Sequence, residues 1–232
     1  MALPYFYEPN LSPNSTSFTL SEETSKHCIQ VLRMKTGEQM HLTDGKGHLV
    51  TASILSADKK HSSVTIINST FTQQQQRKVC MGVSILKNAS RFEWFLEKAT
   101  EIGVSEIIPL ICNRTERQHF RFDRMNNILS AAMLQSQQTW LPVLHQPEEI
   151  DKAISSDHQQ KFIAHCIEEQ KQELKNISIG SDLLMLIGPE GDFTPAEVQL
   201  ALQHNFQPVS LGSTRLRTET AGVVAATLLV NL

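Results

Sequence analysis

From Val79 onward, apolar runs of strand length alternate with segments of helical spacing, and this pattern narrows the fold more than any other feature. Val79–Leu86, Glu106–Ile111, Phe162–Cys166, Leu183–Ile187 and Val209–Leu211 read as strands. Between the first two, Phe92, Phe95, Leu96, Ala99 and Ile102 recur at helical spacing. Ser90-Arg91-Phe92-Glu93 fits a capping box that opens this helix, and Gly103 closes it. Arg121–Gln137 reads as a second helix, ending before Leu141-Pro142. Thr194-Pro195-Ala196-Glu197 is another capping box, with proline at the first helical position. Ala221–Leu232 is an apolar terminal helix. Such alternation implies a mainly parallel sheet with helices on both faces. Ligands of these sheets bind beyond the C-terminal ends of the strands.

Residues 1–72 follow a different rule. Val50–Leu55 and Ser63–Ile67 are rich in β-branched residues, and Asp44-Gly45-Lys46-Gly47 is a turn between two strands. Ser25–Met34 reads as a short helix closed by Lys35-Thr36-Gly37. A small barrel or sandwich is expected here. Thr72–Arg77 has no apolar residue and reads as a linker, so domains are expected at 1–72 and 73–232.

Composition excludes several classes. With 40% hydrophobic residues in 232, the chain can bury a core without staples. Its four cysteines, Cys28, Cys80, Cys112 and Cys166, contain no CxxC pair, which argues against zinc knuckles and redox dithiols. Isolated cysteines suit a reducing compartment, so a cytoplasmic location is expected. Met1–Asn10 lacks the character of an export signal. The longest apolar stretch, near Ala221–Val230, is far short of the roughly 20 residues of a membrane span. Net charge is −3, yet residues 77–125 are locally basic and residues 126–232 acidic. A basic segment can meet phosphates, and it can equally be a solvated helix face.

Two segments can carry chemistry. Leu186-Ile187-Gly188-Pro189-Glu190-Gly191-Asp192-Phe193 follows a strand and precedes a capped helix. Its glycines let backbone approach a ligand, and N–H groups near a helix start can hold an anion. A plain tight turn explains the same residues. The segment is neither a Walker A loop nor GxGxxG. Ser210-Leu211-Gly212-Ser213-Thr214-Arg215-Leu216-Arg217-Thr218-Glu219-Thr220-Ala221 is a polar loop between an apolar strand and an apolar helix. Thr218 or Thr220 can cap that helix, and Arg217 can pair with Glu219. That structural role does not explain why two glycine-containing loops end strands in one half-sheet.

Together these loops resemble the signature segments of the RsmE family, 16S ribosomal RNA uridine N3-methyltransferases of the SPOUT superfamily. Val31-Leu32-Arg33-Met34 with Gly37, Leu86-Lys87, Phe92-Glu93-Trp94, Glu97–Val104, Ile108-Pro109-Leu110, Gln135-Ser136 and Leu141-Pro142 match in order. The resemblance implies a PUA-like β-barrel that binds RNA, followed by a trefoil-knotted α/β methyltransferase domain. It implies S-adenosylmethionine as cofactor, a homodimer, and the small ribosomal subunit as partner, with no metal and no membrane. By resemblance Gly188, Pro189, Glu190 and Gly191 hold the cofactor, with Leu211, Gly212 and Leu216 around the base and Ile187 packed on it. His165, Arg217 and Thr218 complete that set.

Uridine N3 must lose a proton, so a base or an anion-stabilising cation is needed. Arg217 is the candidate cation; Glu190, or Glu219 in its place, is the candidate proton acceptor, and each reads equally well as a fixed hydrogen-bond acceptor. Arg33, Lys87, Arg91 and Arg114 are the candidate RNA contacts, though each singly also reads as a surface charge; Trp94 with its neighbouring phenylalanines reads most simply as core, with stacking on a flipped base the less favoured alternative. The chain departs from the family at Tyr5 and Gln30, where arginines are common, and at Asp192, where glycine is common. Alternative readings are a binder of RNA and cofactor without turnover, or a SPOUT methyltransferase acting on another RNA.

Overall fold

The computed structural model describes residues 3–116, 119–167 and 170–232. Of the N-terminal segment read for export signals, residues 1 and 2 lie outside the described residues. The chain divides into two compact units: residues 1–74 with 133–141, and residues 75–132 with 142–232.

In the first unit, β1 (Tyr5–Tyr7), β2 (Ser17–Thr19), α1 (Glu22–Lys26), β3 (Gln39–Thr43), β4 (His48–Ser56) and β5 (Ser63–Phe71) follow in sequence. The sheet order is β1-β3-β4-β5-β2, with β1 parallel to β3 and the other pairs antiparallel. Val50, Ala52 and Ile54 alternate inward along β4 and meet Met40, Leu42 and Val64 in one core. The turn at residues 44–47 joins β3 to β4 as its sequence predicts.

The helix expected at Ser25–Met34 starts and ends earlier. Ser21 caps α1, and His27–Val31 continues as a π-helix. Arg33, not Gly37, is the first residue past it with left-handed backbone, at φ 57°. Residues 133–141 also join this unit: Trp140 bridges Lys46, and its indole donates to the Thr72 carbonyl at 2.8 Å.

The second unit runs β6 (Lys78–Ser84), α2 (Ala89–Ile102), β7 (Glu106–Ile111), α3 (Phe122–Gln135), β8 (Val143–Leu144), β9 (Glu148–Glu149), α4 (Ile150–Ile154), β10 (Gln160–Ala164), β11 (Gln172–Glu173), β12 (Asp182–Ile187), α5 (Pro195–Gln203), β13 (Gln207–Ser210) and α6 (Thr218–Asn231). All its pairings are parallel, in the order β11-β13-β10-β12-β6-β7-β8, with β9 also on β7. β6 and β12 are buried almost end to end because helices cover both faces, which is why they read as continuous apolar runs.

Several local expectations are corrected. Asn88, not Ser90, caps α2: its side chain accepts from the Ser90 N–H at 3.0 Å. Glycine does close that helix, Gly103 lying at φ 99°. Trp94 is 42% exposed, whereas Phe92 and Phe95 are buried, so the tryptophan lies outside the core. At α5 the Thr194–Glu197 capping box forms as read. Neither Thr218 nor Thr220 caps α6; Arg217 stands at the cap position without a side-chain bond.

After β13 the chain must return past β10 and β12, because α6 packs on α2, β6 and β12. Close approach of α6 to α2 depends on Gly222, where an added Cβ would lie 2.8 Å from Phe95 Cδ2. Phe95 is itself fully buried and cannot swing aside. Gly222→Ala therefore forces the two helices apart and should cost ~1–3 kcal/mol in thermal or urea unfolding. Unchanged stability would show that this crossing has slack.

Candidate functional site

Three neighbouring parallel strands, β13, β10 and β12, end on the same side of the sheet. The loops that leave them, together with the start of α6, line a cavity of about 560 Å³. That volume lies within the ~300–1,000 Å³ typical of cofactor sites. His165, Ile187, Gly188, Pro189, Glu190, Leu211, Gly212, Leu216, Arg217 and Thr218 all line it. Of the expected cofactor residues, Gly191 alone is not on the wall. Arg91, expected at RNA, lines the cavity as well.

The loop after β12 is held in place from several directions. Glu190 is exposed, and its carboxylate accepts the backbone N–H of Lys87 at 3.2 Å. Arg114 donates to the carbonyls of Gly191 at 2.7 Å and Phe193 at 3.4 Å. Its guanidinium thus braces the loop. Glu197 of the capping box reaches further, accepting the Asn113 N–H at 2.8 Å. At Gly188 an added Cβ would sit 3.1 Å from both the ring and the backbone N of Phe193, so a side chain there would crowd the turn.

Asp192 occupies a left-handed position, φ 64°. Aspartate tolerates that backbone better than most residues. Its carboxylate accepts two backbone N–H groups, Phe193 at 2.8 Å and Cys166 at 2.8 Å. The second bond ties the loop after β12 to the loop after β10. Asp192 is therefore a cross-brace between two walls of the cavity.

The remaining predicted residues fall as follows. His165 is buried at the wall, and its carbonyl accepts from Lys171 Nζ. Glu219 meets Arg91, with Nε 3.6 Å from Oε1, which replaces the expected Arg217–Glu219 pair. Arg217 is exposed at the cavity mouth. Lys87 is exposed and pairs with Glu116 at 2.6 Å, which raises its pKa through that hydrogen bond. Arg33 is exposed beside Val31 and Leu32, which are 67% and 45% exposed. Lys171 and Cys166 line the cavity but were not singled out from sequence. No spacing marks them, since they come from an irregular segment after a short strand.

A cavity at the C-terminal ends of parallel strands, with two glycine loops and a cationic mouth, fits a nucleotide-like cofactor. The family model described as RNA methyltransferase domain matches residues 73–230, and that described as RNA methyltransferase PUA domain matches residues 20–67. These define the class: an RNA methyltransferase domain joined to a PUA domain.

Ribosomal RNA small subunit methyltransferase E of Rickettsia conorii is 25% identical over 95% of this chain and 91% of its own length. The Bacillus subtilis protein of the same name is 25% identical over 90% and 88%. Among solved structures, a probable rRNA-methyltransferase from Porphyromonas gingivalis is 37% identical, with TM-score 0.89 and 98% coverage of both chains. A putative methyltransferase from Legionella pneumophila with bound SAM is 30% identical, with TM-score 0.89, over 99% of this chain and 97% of that one. The chain belongs to the ribosomal RNA small subunit methyltransferase E (RsmE) family.

Replacing Asp192 with alanine removes both braces and leaves an unfavourable left-handed residue, costing roughly 1–2 kcal/mol from backbone strain alone. Asp192→Ala should weaken cofactor affinity in calorimetry, and Asp192→Gly, which relieves the strain, should weaken it less. Equal affinity of Asp192→Ala and the parent would show that the brace does not shape the cavity.

Proposed function

We propose that this protein transfers a methyl group from S-adenosylmethionine to N3 of a uridine in 16S ribosomal RNA of the assembled small subunit. The cavity lined by ten of the residues expected at the cofactor carries this reading. Relatives named ribosomal RNA small subunit methyltransferase E and SAM-bound neighbours support it. When bound, the cofactor supplies a methyl group already activated on a sulfonium, so no metal is needed.

The chain's own groups divide the work. The backbone of Gly188–Gly191 and of Leu211–Leu216 offers N–H and C=O groups to the adenine and ribose, and Ile187 an apolar face. Thr218 and the uncapped start of α6 present N–H groups suited to a carboxylate. His165 lines the same wall. Glu190 keeps the loop in position through Lys87, and its carboxylate or that of Glu219 takes the N3 proton. Arg217, free of any capping role, stabilises the uridine anion as its N3 proton is lost. Arg33 and Lys87 are the proposed phosphate contacts, each on its own unit.

A trefoil knot of the SPOUT type is supported by the return of the chain from β13 to an α6 packed on β6 and β12. The first unit would be a PUA-like barrel that binds RNA, with the domain boundary near residue 73. A homodimer and a cytoplasmic location complete the proposal. Among the described residues no helix is long and apolar enough to cross a membrane.

Incubation with labelled cofactor, on naked 16S RNA and on whole small subunits, tests the reading. Label in intact subunits, at N3 of a uridine, supports it; cofactor binding without transfer would leave a binding protein, and label in another RNA would shift the substrate. Arg217→Ala should lower transfer by ~100-fold or more while leaving the unfolding temperature unchanged. Near-normal turnover would remove Arg217 from the reaction.

A further inference from the structure

Beside the first cavity lies a second, of about 290 Å³. Ser90, Arg91 and Trp94 of α2 and Arg217, Glu219 and Thr220 at the start of α6 line it. Arg91 and Arg217 line both cavities, so the two share a wall. Its size, just below the ~300 Å³ lower end for drug-like ligands, suits one flat ring.

Two features of this pocket have no structural explanation within the fold. Trp94 presents 42% of its surface, although the other aromatics of α2 are buried. Glu219 is the stronger case. Its side chain is 8% exposed, and Oε2 is buried without a hydrogen-bond partner. Its other oxygen faces Arg91 at 3.6 Å, beyond hydrogen-bond reach. A buried acceptor left unsatisfied is costly, and a ligand that donates to it recovers that cost.

The polar groups of the pocket comprise two donors, Arg91 and Arg217, and one acceptor, Glu219. The pairing edge of uracil runs acceptor, donor, acceptor: O4, N3–H, O2. Two donors and one acceptor are the complement of that edge. Cytosine places a bare N3 lone pair opposite the carboxylate and is disfavoured. The exposed face of Trp94 supplies a surface on which a base drawn out of its stack can lie.

We infer that this second cavity receives the target uracil, and that Glu219 Oε2 accepts its N3 proton. The inference rests on the proposed uridine N3 activity and identifies the residues that select and activate that base. The N3–H bond breaks, the proton goes to Oε2, and the electron pair stays on N3. That pair forms the N3–CH3 bond as the methyl–sulfur bond breaks, with its pair remaining on sulfur. Arg91 and Arg217 offset the charge that spreads to O4 and O2. The proton then passes from Oε2 to water when the product leaves. A methylated N3 no longer donates, so the product loses its contact with Glu219.

The test combines a donor-free binding measurement with a rate measurement. In Trp140→Phe protein, Trp94 is the sole remaining tryptophan. An RNA oligomer of uridines, added without cofactor, should quench Trp94 fluorescence and bind ~10-fold or more tightly than a cytidine oligomer. Glu219→Gln keeps an acceptor carbonyl but cannot take the proton. It should retain uridine binding and cofactor affinity while transfer to small subunits falls by ~100-fold or more. Trp94→Ala should raise KM for subunits about tenfold with cofactor affinity unchanged. No quenching by the uridine oligomer, equal quenching by the cytidine oligomer, or wild-type transfer by Glu219→Gln would each overturn the inference. Failure of the parent protein to methylate any small subunit would instead overturn the uridine N3 reading, and the quenching result would still decide whether the pocket takes a base.

Discussion

The second unit depends on one steric constraint: α6 must lie close against α2 after the chain has come back from β13. Gly222 makes that possible by leaving room for the buried ring of Phe95. The crossing buries the apolar face of α6 and also fixes where its first turn begins. Arg217, Thr218 and Glu219 are placed by that turn, so both cavities inherit their shape from a contact between glycine and phenylalanine. A polar loop between strand and helix is thereby held at the strand ends.

Hydrogen bonds to backbone hold the cavity walls in register. Asp192 joins two strand-end loops, Arg114 holds the carbonyls of the glycine loop, and Glu197 binds both its own helix start and the loop after β7. Each brace uses a charged side chain to satisfy main-chain groups that a tight turn leaves without partners. A site built this way presents backbone N–H and C=O groups to a ligand with little reorganisation, which favours recognition of an adenine edge and ribose hydroxyls.

Much of this was legible in the sequence. The buried parallel strands read as continuous apolar runs, and the Thr194–Glu197 box and Gly103 marked real helix ends, because those signals depend on neighbours a few residues apart. The two glycine loops also pointed to one place, since loops after adjacent parallel strands must open on the same side. What could not be read has two sources: competition between neighbouring local signals, and partners distant in sequence. Asn88 outcompeted Ser90 as a cap because its side chain reached the N–H two residues on. The π-helical turn at His27–Val31 has no pattern of its own. Trp94 looked like core by periodicity yet faces outward beside α6, and Glu219 pairs with Arg91, 128 positions away in number but adjacent across the helix crossing. The return of residues 133–141 to the first unit is likewise set by Trp140 and Gly45–Gly47, not by local propensity.

The account turns on the larger cavity being where the sulfonium donor sits, and Cys166 reports on that directly. It is exposed and lines the cavity, whereas Cys28, Cys80 and Cys112 are buried. Burial pushes the Cys28 and Cys112 thiols up to about 12, which keeps them unreactive in the folded protein. Alkylation of the native protein, followed site by site by mass spectrometry, should therefore modify Cys166 first. S-adenosylmethionine at about 1 mM should slow that modification severalfold. Unchanged labelling of Cys166 under conditions where calorimetry shows the donor bound would place the donor elsewhere and contradict the account.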